Sequence, residues 1–103
     1  MLEAKLQQLL LARLNELPGV RVWRNNVGFA RTAHGVVRFG LCPGSADLIG
    51  FCRGGRFLAI EVKSDTGRQT PDQLAFQCWV EAGGGVYILA RELDATIEAV
   101  SRL

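Results

Sequence analysis

Leu2, Leu6, Leu10, Leu14 and Leu17 recur at the spacing of one helical face, and Pro18-Gly19 stops the pattern, so the chain opens with a predicted helix of about four turns that packs its leucine stripe inward. Val20-Arg21-Val22-Trp23-Arg24 switches to period two and runs into Asn25-Asn26, the mark of a strand entering a loop. The stretch from Phe29 to Arg38 keeps neither period cleanly. With Gly28 and Gly35 set around Arg31, His34 and Arg38, it reads as a loop or an irregular hairpin projecting from the body. Pro43-Gly44-Ser45 is a turn that feeds a short apolar strand from Asp47 to Phe51. Arg53-Gly54-Gly55-Arg56 follows as a tight connection whose glycines supply the positive φ that a two-residue hairpin demands. Its partner strand is Phe57 to Lys63.

Thr70-Pro71-Asp72-Gln73 carries a full set of helix-start signals: Thr as N-cap, Pro in the first turn, Asp beside the positive end of the dipole, and Gln to close a capping box. That helix runs through Phe76, Trp79 and Val80 to Gly83-Gly84-Gly85, which ends it. Val86 to Leu89 is then a buried strand, and Leu93 to about Arg102 a closing helix. The order α-β-β-β-α-β-α, with no internal repeat, predicts an α/β fold: a mixed sheet flanked by helices.

With 103 residues, 49% of them hydrophobic and 21% charged, the chain is expected to form one domain over residues 1–103. A core of that size is thin, which makes a dimer plausible. The formal net charge of +2 is too small to argue for a polyanionic partner, so distribution must carry that point; arginine, far commoner here than lysine, suits bidentate phosphate contacts. Cys42, Cys52 and Cys78 are odd in number and form no C-x-x-C pair, so neither a zinc site nor a disulfide framework is indicated and they read as small core residues of a reducing compartment. No apolar run approaches the roughly 18 residues of a membrane span, so no membrane partner and a cytoplasmic location are expected. There is no G-x-x-x-x-G-K-[ST], hence no nucleotide cofactor. A lone His34 cannot furnish a His-Asn metal nuclease.

Chemistry concentrates on Phe57 to Lys63. Alternation puts Leu58, Ile60 and Val62 on one face and Phe57, Ala59, Glu61 and Lys63 on the other. An acid and a base sharing a face near the end of a buried strand are costly to desolvate unless they meet each other, a metal or an anionic ligand. Pairing about Gly54-Gly55 would bring Asp47 to the same end of the sheet as Glu61. Two carboxylates with a nearby lysine, and no His-Cys cluster, favour Mg²⁺ or Mn²⁺ over zinc.

Trp23-Arg24-Asn25-Asn26, Gly40 through Gly50, Ile60-Glu61-Val62-Lys63 and Gly67 through Gln73 together resemble the VRR-Nuc (virus-type replication-repair nuclease) domain, and the resemblance spans nearly the whole chain. It implies a restriction-endonuclease-like core of the PD-(D/E)xK superfamily. Carried over, it makes Asp47, Glu61 and the Val62 main-chain carbonyl metal ligands, Lys63 the catalytic lysine and Gln73 a further catalytic position. Glu3 looks like the first-helix acid that completes the metal site in many members, and a helical wheel places it inside the apolar arc. Ala46 stands where the superfamily's name-giving proline would precede the acid, a departure that affects turn stiffness and not ligation. Candidate DNA contacts are Arg24, Asn26, Arg31, Arg38 and Arg68.

The expectation is therefore a Mg²⁺-dependent DNA endonuclease of bacterial or phage origin. Stand-alone relatives include homodimers that resolve four-way (Holliday) junctions. The alternatives are a flap-directed or generic DNA nuclease, or a non-catalytic module whose Arg24, Arg31, Arg38 and Arg68 grip phosphates.

Overall fold

A computed structural model describes residues 1–103. Helix α1 spans Glu3–Leu14 and strand β1 Arg21–Arg24; β2 (Gly28–Thr32) and β3 (Gly35–Phe39) follow, then β4 (Leu48–Phe51), β5 (Phe57–Val62), α2 (Pro71–Ala82), β6 (Val86–Ala90) and α3 (Leu93–Ser101). A four-stranded sheet has the order β1-β4-β5-β6, and β2 pairs only with β3. The first two pairings of the large sheet are antiparallel and β5–β6 is parallel, because α2 carries the chain back between them. The result is a mixed sheet flanked by helices, as the periodicity predicts.

The larger core joins α1 and α3 to one face of the sheet. Leu6, Leu10 and Leu14 from α1 meet Val22, Leu48, Leu58, Ile60 and Val62 from the strands and Val100 from α3. The opposite face carries a smaller cluster in which Ala46, Ala59 and Tyr87 lie under Phe76 and Val80 of α2. Strand β5 thus serves both layers through its alternation, with Leu58, Ile60 and Val62 facing α1 and Ala59 and Glu61 facing α2.

Several local expectations are corrected. Helix α1 is 12 residues, about three turns. Leu2 is its exposed N-cap, and Leu17 lies beyond its end. That end is held by Asn15, whose side chain accepts from Val22 N at 2.8 Å and donates to Leu11 O at 2.9 Å and Val22 O at 3.0 Å. The β4–β5 connection spans Cys52 to Arg56 and is not a two-residue hairpin: Cys52 N donates to Arg56 O, and a 3₁₀ turn over Arg53–Gly55 fills the gap. Both glycines do take positive φ there, +79° and +75°.

The stretch from Phe29 to Arg38 is a regular antiparallel hairpin with five paired positions, not a loop. Each strand mixes apolar residues onto both faces, which hides the period-two signal, and nearly every residue in it is exposed. Of the cysteines only Cys52 is a core residue; Cys42 is half-buried and Cys78 exposed. No helix is long and apolar enough to cross a membrane.

Candidate active site

The site forms where β4, β5 and the start of α2 come together. β4 begins at Leu48, one residue later than the pattern suggested, which leaves Asp47 outside the ladder and free to turn its side chain across it. Asp47 Oδ2 accepts the Val62 N–H at 2.8 Å, where a further strand residue would otherwise pair. The N–H and C=O of one strand residue point to the same edge, so the Val62 carbonyl leaves β5 on the Asp47 side.

Asn25, just past β1, fixes this arrangement. Its N–H donates to Asp47 O at 2.8 Å, its Nδ2 to Ser45 Oγ at 2.7 Å and Ala46 O at 2.9 Å, and its Oδ1 accepts from Leu41 N at 2.9 Å. One buried side-chain amide thus uses both of its donors and its carbonyl oxygen to hold the loop that delivers Asp47. Gly44 completes the approach. Its φ is +81°, and a Cβ there would stand 2.4 Å from Asp72 O, so only glycine lets the Pro43-Gly44 turn lie against the first turn of α2.

That first turn carries the predicted capping box: Thr70 Oγ1 accepts from Gln73 N at 3.2 Å and Gln73 Oε1 from Thr70 N at 2.9 Å. Capping engages the Gln73 oxygen, and Gln73 also lines the cleft beside it. The cleft, about 390 Å³, is walled almost entirely by polar groups, among them Asn26, Ser45, Asp47, Glu61, Gln73 and, from α1, Gln7.

Glu61 dominates its electrostatics. The residue is only 3% exposed, and its Oε2 is buried with no hydrogen-bond partner. Burial, followed by the hydrogen bond and negative charge of Asp47, pushes its carboxyl up to about 9. Lys63 pulls the other way, and Glu3 adds a weaker upward push. A carboxylate oxygen in that position is stable either as a protonated acid or against a cation. Nearby, burial lifts the Tyr87 phenol to about 12 against the opposing hydrogen bond from Gln69 Nε2, 3.1 Å from its oxygen, so the phenol stays protonated.

The sequence-predicted residues divide into three groups. Asp47, Glu61 and Gln73 line one cleft, with Asn26 at its rim. Lys63, half-buried just past β5, is close enough to act on the Glu61 charge. Glu3 is exposed in the first turn of α1 and does not join the two carboxylates: no three His, Cys, Asp or Glu side chains converge as a metal-holding group. The wheel placed Glu3 above the leucine stripe, but its turn lies beyond Leu6, the first buried position of the helix. Arg24, Arg31, Arg38 and Arg68 are all exposed and outside the cleft.

Asn25 and Ser45 were not foreseen as site residues, whereas Gln7, one turn on from Glu3 and on its side of the helix, does line the cleft. Asn25 and Ser45 lie within the motifs that carry the family resemblance, but read locally Asn25-Asn26 is only a turn after a strand.

Two carboxylates, one of them carrying an orphaned buried oxygen, and a main-chain carbonyl on the same edge form a hard-oxygen donor set. That set fits Mg²⁺ or Mn²⁺, which characteristically take one or two carboxylates and complete their shell with water and phosphate oxygens. In comparisons with known proteins, no family model and no curated protein matches the chain.

Proposed function

We propose that the chain is a metal-dependent DNA nuclease of the VRR-Nuc type, with the restriction-endonuclease-like arrangement that its motif order suggests. The observation that carries this is Glu61: a buried carboxyl with an unpartnered oxygen, set beside Asp47 in a polar cleft, is poised to take up a cation in place of its proton. Asp47, Glu61 and the Val62 carbonyl would hold Mg²⁺ or Mn²⁺. When bound, such an ion polarises a phosphodiester and makes water more acidic.

Hydrolysis adds one water across a P–O bond: the water oxygen joins phosphorus, the bond to the leaving sugar oxygen breaks, and the proton shed by the water is balanced by one taken up at that oxygen. Lys63 supplies an ammonium donor that orients the water and offsets the charge growing on the phosphate. Gln73 positions the phosphate from the helix terminus, where the dipole of α2 also favours negative charge. A homodimer acting on four-way junctions is the substrate reading we favour, since a two-fold axis matches two strands to be cut.

The test is cleavage of matched four-way, flap, nicked and linear DNA in Mg²⁺, with Ca²⁺ as a binding-only control, alongside the mass in solution. Asp47→Asn keeps an acceptor for Val62 N–H while removing the charge. If that variant cuts as fast as the parent, the site assignment is wrong; a monomer that prefers flaps overturns the junction reading alone.

A further inference from the structure

The β2–β3 hairpin is joined to the cleft at both ends. Asn26 and Val27, at the cleft wall, lead into β2, and the chain returning from β3 is tied back by Leu41 N to Asn25 Oδ1 at 2.9 Å. Asn25 in turn holds Asp47. The two strands pack on one another and scarcely on any other element, so the hairpin stands clear of the body while its base is fixed relative to the carboxylates.

Its register sorts its side chains. Phe29 pairs with Arg38 and Arg31 with Val36, which puts both arginines on one face; Ala30 pairs with Val37 and Gly28 with Phe39 on the other. The Phe39 ring occupies the space that a Gly28 side chain would take, with 2.8 Å between that ring and an ideal Cβ. Charge along the chain is equally uneven. From Leu17 to Ala46 there are four arginines, Arg21, Arg24, Arg31 and Arg38, and no acid. The remaining residues carry the other eight of the 12 basic groups and all ten acids, a balance of −2.

We propose that the hairpin is a β-ribbon that lies in a groove of the duplex DNA flanking the scissile phosphate, with Arg31 and Arg38 on the backbone and Phe29 between them. This rests on the nuclease reading and adds to it a requirement for a double-stranded arm on the hairpin side. Two strands about 4.8 Å apart, with their side chains, match a major groove about 12 Å wide. Five residues reach about 17 Å, close to five base pairs at 3.4 Å each. A single-strand track would need a row of aromatic platforms, and the arginine face offers one ring. A second copy of the chain seated about a two-fold axis would bring this acid-free segment against itself, so charge favours the polyanion.

The experiment measures binding in Ca²⁺ across a salt series, for the parent and for the double variant Arg31→Ala/Arg38→Ala, on a duplex, on the same duplex trimmed from one end, and on its single strand. Both arginines are exposed, so folding is retained, and circular dichroism checks it. The expected result is an affinity loss of about tenfold or more on duplex with a salt slope shallower by about two, recovered in large part by Arg31→Lys/Arg38→Lys. The penalty should vanish on the single strand and on a duplex trimmed to fewer than about five pairs past the cut. Equal affinity and slope for parent and variant on duplex overturn the inference and leave the nuclease reading standing, as does a change confined to the mass in solution. A parent that binds no DNA overturns both.

Discussion

The two faces of the four-stranded sheet share β5 and use it for opposite purposes. Toward α1 and α3, Leu58, Ile60 and Val62 enter a core in which every large neighbour is apolar. Toward α2, the same strand places Ala59 in a cluster of five buried residues and then Glu61 in a polar cleft. The first face supplies stability, and the second accepts a buried carboxyl that opposes it. One strand can do both because alternate side chains never meet.

The strongest contrast comes from removing one group on each side. Asp47→Asn should slow cleavage by at least ~10³-fold, about 4 kcal/mol in the barrier, with the urea midpoint unchanged or higher. Unchanged cleavage would erase the distinction between the faces. Leu10→Ala, fully buried against the other face, should cost about 3 kcal/mol of unfolding free energy and leave turnover intact wherever the variant is folded. A loss under about 1 kcal/mol would mean that this core is not what holds the chain together.

Glu61 sharpens the comparison through pH. Its carboxyl is raised from 4.5 to about 9 in the folded chain, so the folded state keeps a proton that the unfolded state releases earlier. Without metal, that contribution is complete below about pH 4.5 and is lost as the pH climbs to about 9. Urea melts across this window should show stability declining, and Glu61→Gln should flatten the decline while abolishing cleavage. A slope identical in the two proteins would show that Glu61 does not titrate in the window. The smallest effect is expected at the helix start: Thr70→Ala should cost about 1 kcal/mol by thermal melt, with a modest loss of activity as Gln73 loosens. No change in the melt would remove the capping box from the stability of α2.

What was legible in the sequence was whatever depends on near neighbours. The α2 capping box spans four residues, and β5's two faces follow from alternation alone. The meeting of Asp47 with Glu61 needed only the short connection between their strands. The β2–β3 hairpin was missed as regular structure because Val36-Val37 puts one apolar residue on each side and leaves no polar face to read. The side chains of Asn15 and Asn25 bond to groups 4 to 21 positions away, which lie beyond the reach of any local pattern. Glu3 differs in another way: a wheel gives an angle around the helix and says nothing of how far the core extends along its axis, and the core begins only at Leu6.

Asn25 leads into the first stem of the hairpin, holds the second through its side chain at Leu41 N, and ties down Asp47 through its own main-chain N–H. The length and composition of the chain between Gly28 and Phe39 are thereby decoupled from the geometry of the carboxylates. A longer, shorter or differently charged ribbon fits those stems without rebuilding the cleft, which makes the hairpin an exchangeable head on a fixed base. On the proposed reading, the ribbon's contacts and the cleft's chemistry can then change separately, with Asn25 as the joint between them.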